Sequence, residues 1–278
     1  MAEFLNTPTA KRKMTKCMAK KIYLDAGHGG NDPGAVGYVV ERNVAVKVVK
    51  YMKEYLQKNY VCSLKLSKGT TDLNGRCREA NNWKADLFVS VHFNAGGGDG
   101  YEALVYSAAG EKLGRCFEKH VKAVKQNSRG VKYRPDLAVL RLTNMKSILN
   151  EVAFVDNRKD IKDWDENREL KVMSEALAKA AAEWLNLPAA NRSYITQYSM
   201  NLRKSPSTKS AAAGKVSKGK TVTGTVEGSW LKTDKGYIRS ELLRLIEVGA
   251  SCFNHYCVGC GVTQLNVLHN VHRRISLG

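Results

Sequence analysis

The stretch Ile22-Tyr23-Leu24-Asp25-Ala26-Gly27-His28-Gly29-Gly30 constrains the fold more than any other part of this chain. Its apolar half has the composition of a short buried strand, and the glycine cluster supplies the sharp turn that ends it. The histidine at the mouth of that turn then stands at the carboxyl end of a strand. Open α/β sheets collect their ligands along that edge. One histidine there does not define a site; its meaning depends on what other strands bring to meet it.

From Ile22 to Leu187, strand-like and helix-like segments alternate. Glu41-Arg42-Asn43 opens a helix in which Val44, Val48, Tyr51, Met52 and Leu56 recur at helical spacing. Residues 60–66 read as a strand, and residues 72–83 as a helix with Asp72 as its N-cap. Residues 86–92 form a compact apolar run that ends in a second histidine, His92. A strand over 102–106, an amphipathic helix over 111–125, a strand over 147–152 carrying Glu151 near its end and a closing helix over 167–185 complete the series. Such alternation predicts an α/β domain over residues 21–187, with a mostly parallel sheet flanked by helices on both faces. Three strand ends then carry polar groups: His28, His92 and Glu151.

Pro188 and the Ala-Ala-Asn after it break the helical pattern, so residues 188–193 read as a linker. Beyond it, Met200-Asn201-Leu202-Arg203, Thr221-Val222-Thr223, Ser229-Trp230-Leu231-Lys232-Thr233 and Gly236-Tyr237-Ile238 are short β-type runs separated by Ser, Pro, Gly and Lys turns. They predict a small all-β barrel over residues 194–247. Residues 1–20 lack periodicity and read as a leader, vector-derived if Met18 is the native start. Residues 248–278 fit neither part. Their Cys252, His255, Cys257 and Cys260 are soft ligands that could take zinc, but the loops between them are tight for a tetrahedral cage, and the segment reads as a tail of unassigned role.

Charge narrows the partners. The chain has 45 Lys and Arg against 26 Asp and Glu, a net +19, and residues 191–247 carry eleven Lys and Arg against four Asp and Glu. Such a field favours polyanions. Nucleic acid, an anionic membrane and an anionic wall polymer all qualify on charge. The charge is scattered and no recognition motif accompanies it, which argues against nucleic acid. No apolar run approaches the roughly 20 residues of a membrane span. The first twenty residues lack the apolar core of a secretory signal. Cys17, Cys62, Cys77 and Cys116 are widely separated and read as reduced, buried or semi-buried thiols. A monomer is expected.

Two neutral imidazoles and a carboxylate are a standard ligand set for a catalytic zinc ion that keeps one position open. His28 and Glu41 are separated by a Gly- and Pro-containing loop that can fold back, and His92 arrives from a neighbouring strand. Glu151 would be the spare carboxylate, taking a proton from the attacking water and passing it to a leaving amine. These residues suit hydrolysis of an amide or ester.

The segments Asp25-Ala26-Gly27-His28-Gly29-Gly30-Asn31-Asp32-Pro33-Gly34-Ala35, Glu41-Arg42-Asn43, Ser90-Val91-His92-Phe93-Asn94-Ala95 and Asn150-Glu151-Val152-Ala153-Phe154-Val155-Asp156-Asn157 resemble the zinc-dependent N-acetylmuramoyl-L-alanine amidases of the Amidase_3 family. All four occur in the family's order; Ala153 stands where members often have glycine. The resemblance implies one zinc ion held by His28, Glu41 and His92, Glu151 as the catalytic acid/base, and peptidoglycan as substrate, cut between N-acetylmuramic acid and L-alanine. Asn201-Leu202-Arg203, Gly228-Ser229-Trp230 and Gly236-Tyr237-Ile238 are similar to bacterial SH3-like wall-binding modules. That combination resembles a phage endolysin, made in the host cytoplasm and reaching the wall after holin-type release. A host autolysin, a sporulation or mother-cell-lysis amidase, and a non-catalytic wall-binding protein are the alternatives.

Several side chains are expected to be structural. Asp25 is read either as orienting a ligand histidine or as a turn residue, Asn94 as a loop residue, Arg42 and His120 as solvent-facing, and Trp230 and Tyr237 as core aromatics.

Overall fold

The computed structural model describes residues 19–161 and 168–246. Residues 1–18 of the expected leader and the Cys252–Cys260 cluster lie outside the described residues.

The first part of the chain is built from β1 (Lys21–Ala26), α1 (Glu41–Asn59), β2 (Ser63–Leu66), α2 (Leu73–Asn82), β3 (Leu87–Asn94), β4 (Tyr101–Val105), α3 (Glu111–Ala123), β5 (Ser128–Tyr133), α4 (Ala138–Arg141), β6 (Lys146–Phe154) and α5 (Arg168–Trp184). The strands form one six-stranded sheet in the order β2-β1-β3-β6-β4-β5. β2, β1, β3 and β6 run parallel, whereas β4 pairs antiparallel with β6 and parallel with β5. The sheet is therefore mostly parallel, as expected, but mixed, with a single antiparallel seam between β6 and β4. β6 and β4 meet edge to edge in opposite directions, so everything beyond that seam is reversed. β5 is an additional strand; its SRGVKY sequence is polar, holds a glycine and is half-buried, so it leaves no apolar run to read.

Alternation along the strands sorts the core into two layers. Ile22, Leu24, Val89, Val91, Ile148 and Val152 face α1, α3 and α5, against Val48, Met52, Phe117, Leu170 and Leu177. Tyr23, Phe88, Leu104 and Leu149 face the other way, onto Cys77 and Ala80 of α2 and Val139 and Leu140 of α4. Helices thus cover both faces. Asp72 is the N-cap of α2, its side chain accepting a 2.8 Å bond from Gly75 N. Cys62 and Cys116 are half-buried and Cys77 is buried, all as free thiols.

The second part contains β7 (Asn191–Thr196), β8 (Met200–Arg203), β9 (Ala212–Val216), β10 (Thr221–Glu227), β11 (Trp230–Thr233), β12 (Gly236–Arg239) and β13 (Leu243–Leu245). They make a second, seven-stranded sheet in the order β13-β7-β10-β11-β12-β8-β9, antiparallel throughout. Tyr194, Leu202, Leu231, Ile238 and Leu243 form its own small core. Trp230 is buried, with Arg239 over its ring. The connection is tied to the first sheet's helices: Pro188 O accepts from Val61 N, Ala190 N donates to Asn59 O, and Arg192 donates to Gln57 O.

Candidate active site

β1 and β3 are neighbouring parallel strands, so their carboxyl ends deliver His28 and His92 to one edge. Glu41, the first residue of α1, is brought there by the loop from Gly29 to Val40. Its Oε1 lies 2.9 Å from His28 Nε2 and 2.9 Å from His92 Nδ1. The two rings meet edge to face, with centroids 4.9 Å apart. Donor atoms of His28, Glu41 and His92 all fall within 4.8 Å of one another. Glu41 is fixed further by backbone: Phe93 N donates to Oε1 at 3.0 Å and Ala35 N to Oε2 at 2.8 Å.

Two glycines make this closeness possible. A Cβ at Gly27 would fall 2.5 Å from the His92 ring, and one at Gly34 would fall 2.5 Å from both Glu41 Oε2 and the His28 ring. Gly34 also has φ +67°, the left-handed region that glycine enters without penalty. His28 itself sits at φ 63°, a conformation a side-chain-bearing residue adopts only when its surroundings hold it there.

Burial pushes the Glu41 carboxyl up, but hydrogen bonds from His28 and His92 outweigh it and hold it at about 2. Bonding to Glu41, opposed by burial and helped by Asp32, raises His28 to about 9. Two imidazoles around an ionised carboxylate are a divalent-metal donor set, and the residues fit a zinc ion in type and convergence.

Glu151 lies directly beside this set. On β6 it is in register with His92 of β3, and across the antiparallel seam it faces Glu102 of β4. Among the described residues its buried Oε2 has no hydrogen-bond partner. Burial, reinforced by the charges of Glu41 and Glu102 against the pull of His92, lifts its pKa to about 7. Glu102 is buried too, but Arg129 Nε and Lys132 Nζ each lie 2.6 Å from its Oε1 and hold it below the ordinary range against the effect of burial. The four residues singled out by sequence therefore converge: His28, Glu41 and His92 as a cluster, and Glu151 next to it. An unpaired carboxyl that titrates near neutrality, beside a metal-ligand set, can move a proton during attack on a carbonyl.

Sequence reading missed three participants. Asp32 accepts from His28 Nδ1 at 2.7 Å and so orients the ring. Its signal was legible, a carboxylate one short loop turn after the histidine. Arg76 of α2 is buried; it donates to Asp25 Oδ1 at 3.0 Å and Ala26 O at 2.8 Å, and also to His28 O and Thr70 O, which pins the turn. Glu102 is the third. Asp25 acts through Arg76: it is buried between Arg76 Nη1 at 3.0 Å and Ser90 Oγ at 2.7 Å, and Arg76 in turn donates to His28 O. Arg42 does not face water alone, since it donates to Gly30 O at 2.7 Å and braces the same loop. Asn94, read as a loop residue, instead closes β3; its Oδ1 accepts from Ala95 N at 2.9 Å and its Nδ2 lies 3.4 Å from Glu102 Oε2.

Fold and site together define an α/β domain with a hydrolytic arrangement at a sheet edge. The family model for N-acetylmuramoyl-L-alanine amidase, Amidase_3, matches residues 22–183, and the chain belongs to that family. The chain is 38% identical over 184 residues to an endolysin of Bacillus phage SPP1, covering 61% of this chain and 68% of that protein. It is 37% identical over 150 residues to a sporulation-specific N-acetylmuramoyl-L-alanine amidase of Bacillus subtilis strain 168, covering 50% of this chain and 58% of that one. Among solved structures, the catalytic domain of the amidase CwlV from Bacillus (Paenibacillus) polymyxa var. colistinus superposes with a TM-score of 0.57 at 26% identity, over 61% of this chain and 99% of that one.

Proposed function

We propose that this cell-wall amidase cleaves the amide between the lactyl group of N-acetylmuramic acid and L-alanine in peptidoglycan, with Glu151 as general base and acid and with His28, Glu41 and His92 holding one zinc ion. The observation that carries the reading is the pairing of a convergent His-Glu-His set with an unpartnered buried carboxyl one strand away. When bound, zinc supplies a Lewis acid that acidifies water and polarises an amide carbonyl. Glu151 Oε2 accepts the proton of the attacking water and returns it to the departing alanine nitrogen. Its pKa of about 7 suits both halves of that transfer at neutral pH. Glu41 keeps the two imidazoles turned toward one point, and Asp32 fixes the tautomer of His28.

The test is Glu151→Gln. The variant is expected to bind zinc as the parent does and to lose hydrolysis by at least about 100-fold, the span of general acid–base catalysis. Digestion by the parent should expose new L-alanine amino termini, suppressed by chelator and restored by zinc. Parental rates in Glu151→Gln, or release of reducing sugar ends instead, would overturn the assignment.

The second sheet is proposed to be an SH3-like wall-binding domain, supported by its small antiparallel architecture and basic balance. A chain ending after Ala190 keeps the bonds that tie the linker to α1 and should still cut soluble muropeptides while cosedimenting poorly with whole walls. Unchanged cosedimentation removes that role. Similarity to a phage endolysin supports a lytic role with release from the cytoplasm through a membrane lesion; no helix among the described residues is long and apolar enough to cross a membrane. The similarity to a sporulation amidase supports the second reading, remodelling in the producing cell.

A further inference from the structure

One other group of metal-ligating side chains converges among the described residues: Cys116 and His120 on α3, and Glu183 on α5, with a donor atom of each within 4.8 Å of the others. Cys116 and His120 are four positions apart, so the helix stacks them on one face. That face packs against α5: Cys116 Sγ lies 3.6 Å from Ala180 O and 3.8 Å from Glu183 Oε1, and His120 Nε2 lies 2.8 Å from Glu183 Oε2. His120, expected in solvent, is half-buried by this packing. No residue is shared with the His28, Glu41 and His92 set.

A thiol, an imidazole and a carboxylate are the ligands thiophilic divalent ions select, and three protein donors leave a position open for water. The helices that carry them are held rigidly by the apolar core, with Leu113, Phe117, Leu177 and Ala181 buried beneath. Lys119 competes for the same carboxylate, its Nζ 2.5 and 2.7 Å from the two Glu183 oxygens. That ion pair is exposed and contributes little, so a chelated divalent ion can displace it.

We propose that Cys116, His120 and Glu183 form a second divalent-metal site, selective for thiophilic ions such as zinc, that clips α3 to α5. Binding exchanges the Sγ–H bond of Cys116 for a metal–sulfur bond and releases the proton to solvent, with no change of oxidation state. The catalytic set contains no sulfur, so the two sites are spectroscopically separable.

The experiment uses the full chain with Cys252, Cys257 and Cys260 replaced by serine, so that those thiols cannot report. Cobalt(II) is titrated while the thiolate-to-cobalt charge-transfer band is followed. A saturable band is expected that disappears in Cys116→Ser and whose apparent affinity drops about tenfold or more in His120→Ala. In parallel, zinc should slow alkylation of Cys116, read by peptide mapping, by about tenfold or more, because the metal-held thiolate is withdrawn from reaction, and chelator should restore the rate. Absence of a band at saturating cobalt, a band that survives Cys116→Ser, or alkylation of Cys116 indifferent to zinc would overturn the proposal.

Discussion

Replacing Arg76 with methionine keeps an unbranched apolar stem of similar length while removing a guanidinium that serves four acceptors: Asp25 Oδ1, Ala26 O, His28 O and Thr70 O. Asp25 is fully buried and keeps only Ser90 Oγ as a side-chain donor. Breaking a buried ion pair by deleting one partner costs about 3–5 kcal/mol, because the remaining charge stays desolvated. Each backbone carbonyl left without a donor adds about 1–3 kcal/mol unless water reaches it. Against a total stability of about 5–15 kcal/mol, Arg76→Met should bring the amidase domain close to its limit, with a loss of about 4 kcal/mol or more. Arg76→Lys should recover little, since one ammonium cannot reproduce the fork. Urea unfolding of parent, Arg76→Met, Asp25→Asn and the double variant closes a thermodynamic cycle. The double variant should be more stable than Arg76→Met alone, because it no longer buries an unpaired charge. Equal or greater loss in the double variant, or a change below about 0.5 kcal/mol in Arg76→Met, would refute the view that this pair holds the His28 turn.

Asp32→Asn removes the charged acceptor on His28 Nδ1 and should weaken zinc binding by about 10–100-fold, measured by competition with a chromogenic chelator, with hydrolysis largely recovered at saturating zinc. Glu151 predicts a pH effect on the chelator-treated protein. Its pKa is raised from 4.5 to about 7 on folding, so the neutral form is the favoured one, and its contribution to stability is full below pH 4.5 and lost as pH rises through 7. Glu151→Gln should therefore gain on the order of 3 kcal/mol over the parent between pH 4.5 and 8. A stability difference in urea that is the same at pH 4.5 and pH 8 would show that the carboxyl is not desolvated.

The elements read from sequence are those whose signal is local. Face alternation in β1, β3 and β6, helical spacing in α1 and the Asp72 cap each lie within a few residues. Those patterns locate the strand ends that carry His28, His92 and Glu151 and the helix start that carries Glu41. What escaped depends on partners far along the chain. The direction of β4 is set by its pairing with β6, nearly fifty positions away, and β5 exists because β4 offers it an edge. Asp25 looked like a turn residue because its partner, Arg76, is 51 positions distant on a helix whose sequence gives no hint of buried charge. The half-buried state of His120 likewise depends on α5, 63 positions away.

Three glutamates share the active edge, and only their partners distinguish them. Glu41 receives two imidazoles and two backbone N–H groups, which hold it ionised despite burial. Glu102 receives Arg129 and Lys132 and is neutralised where it stands. Glu151 is given nothing for Oε2, so the same burial that the other two overcome decides its protonation. Environments that push neighbouring carboxyls apart assign their roles: the low one is a fixed charge, and the one near neutrality exchanges protons. The Arg129–Lys132 pair matters to this division. Without it, a bare Glu102 charge facing Glu151 across the β4–β6 seam would drive the base further above neutrality and leave it protonated when it must accept.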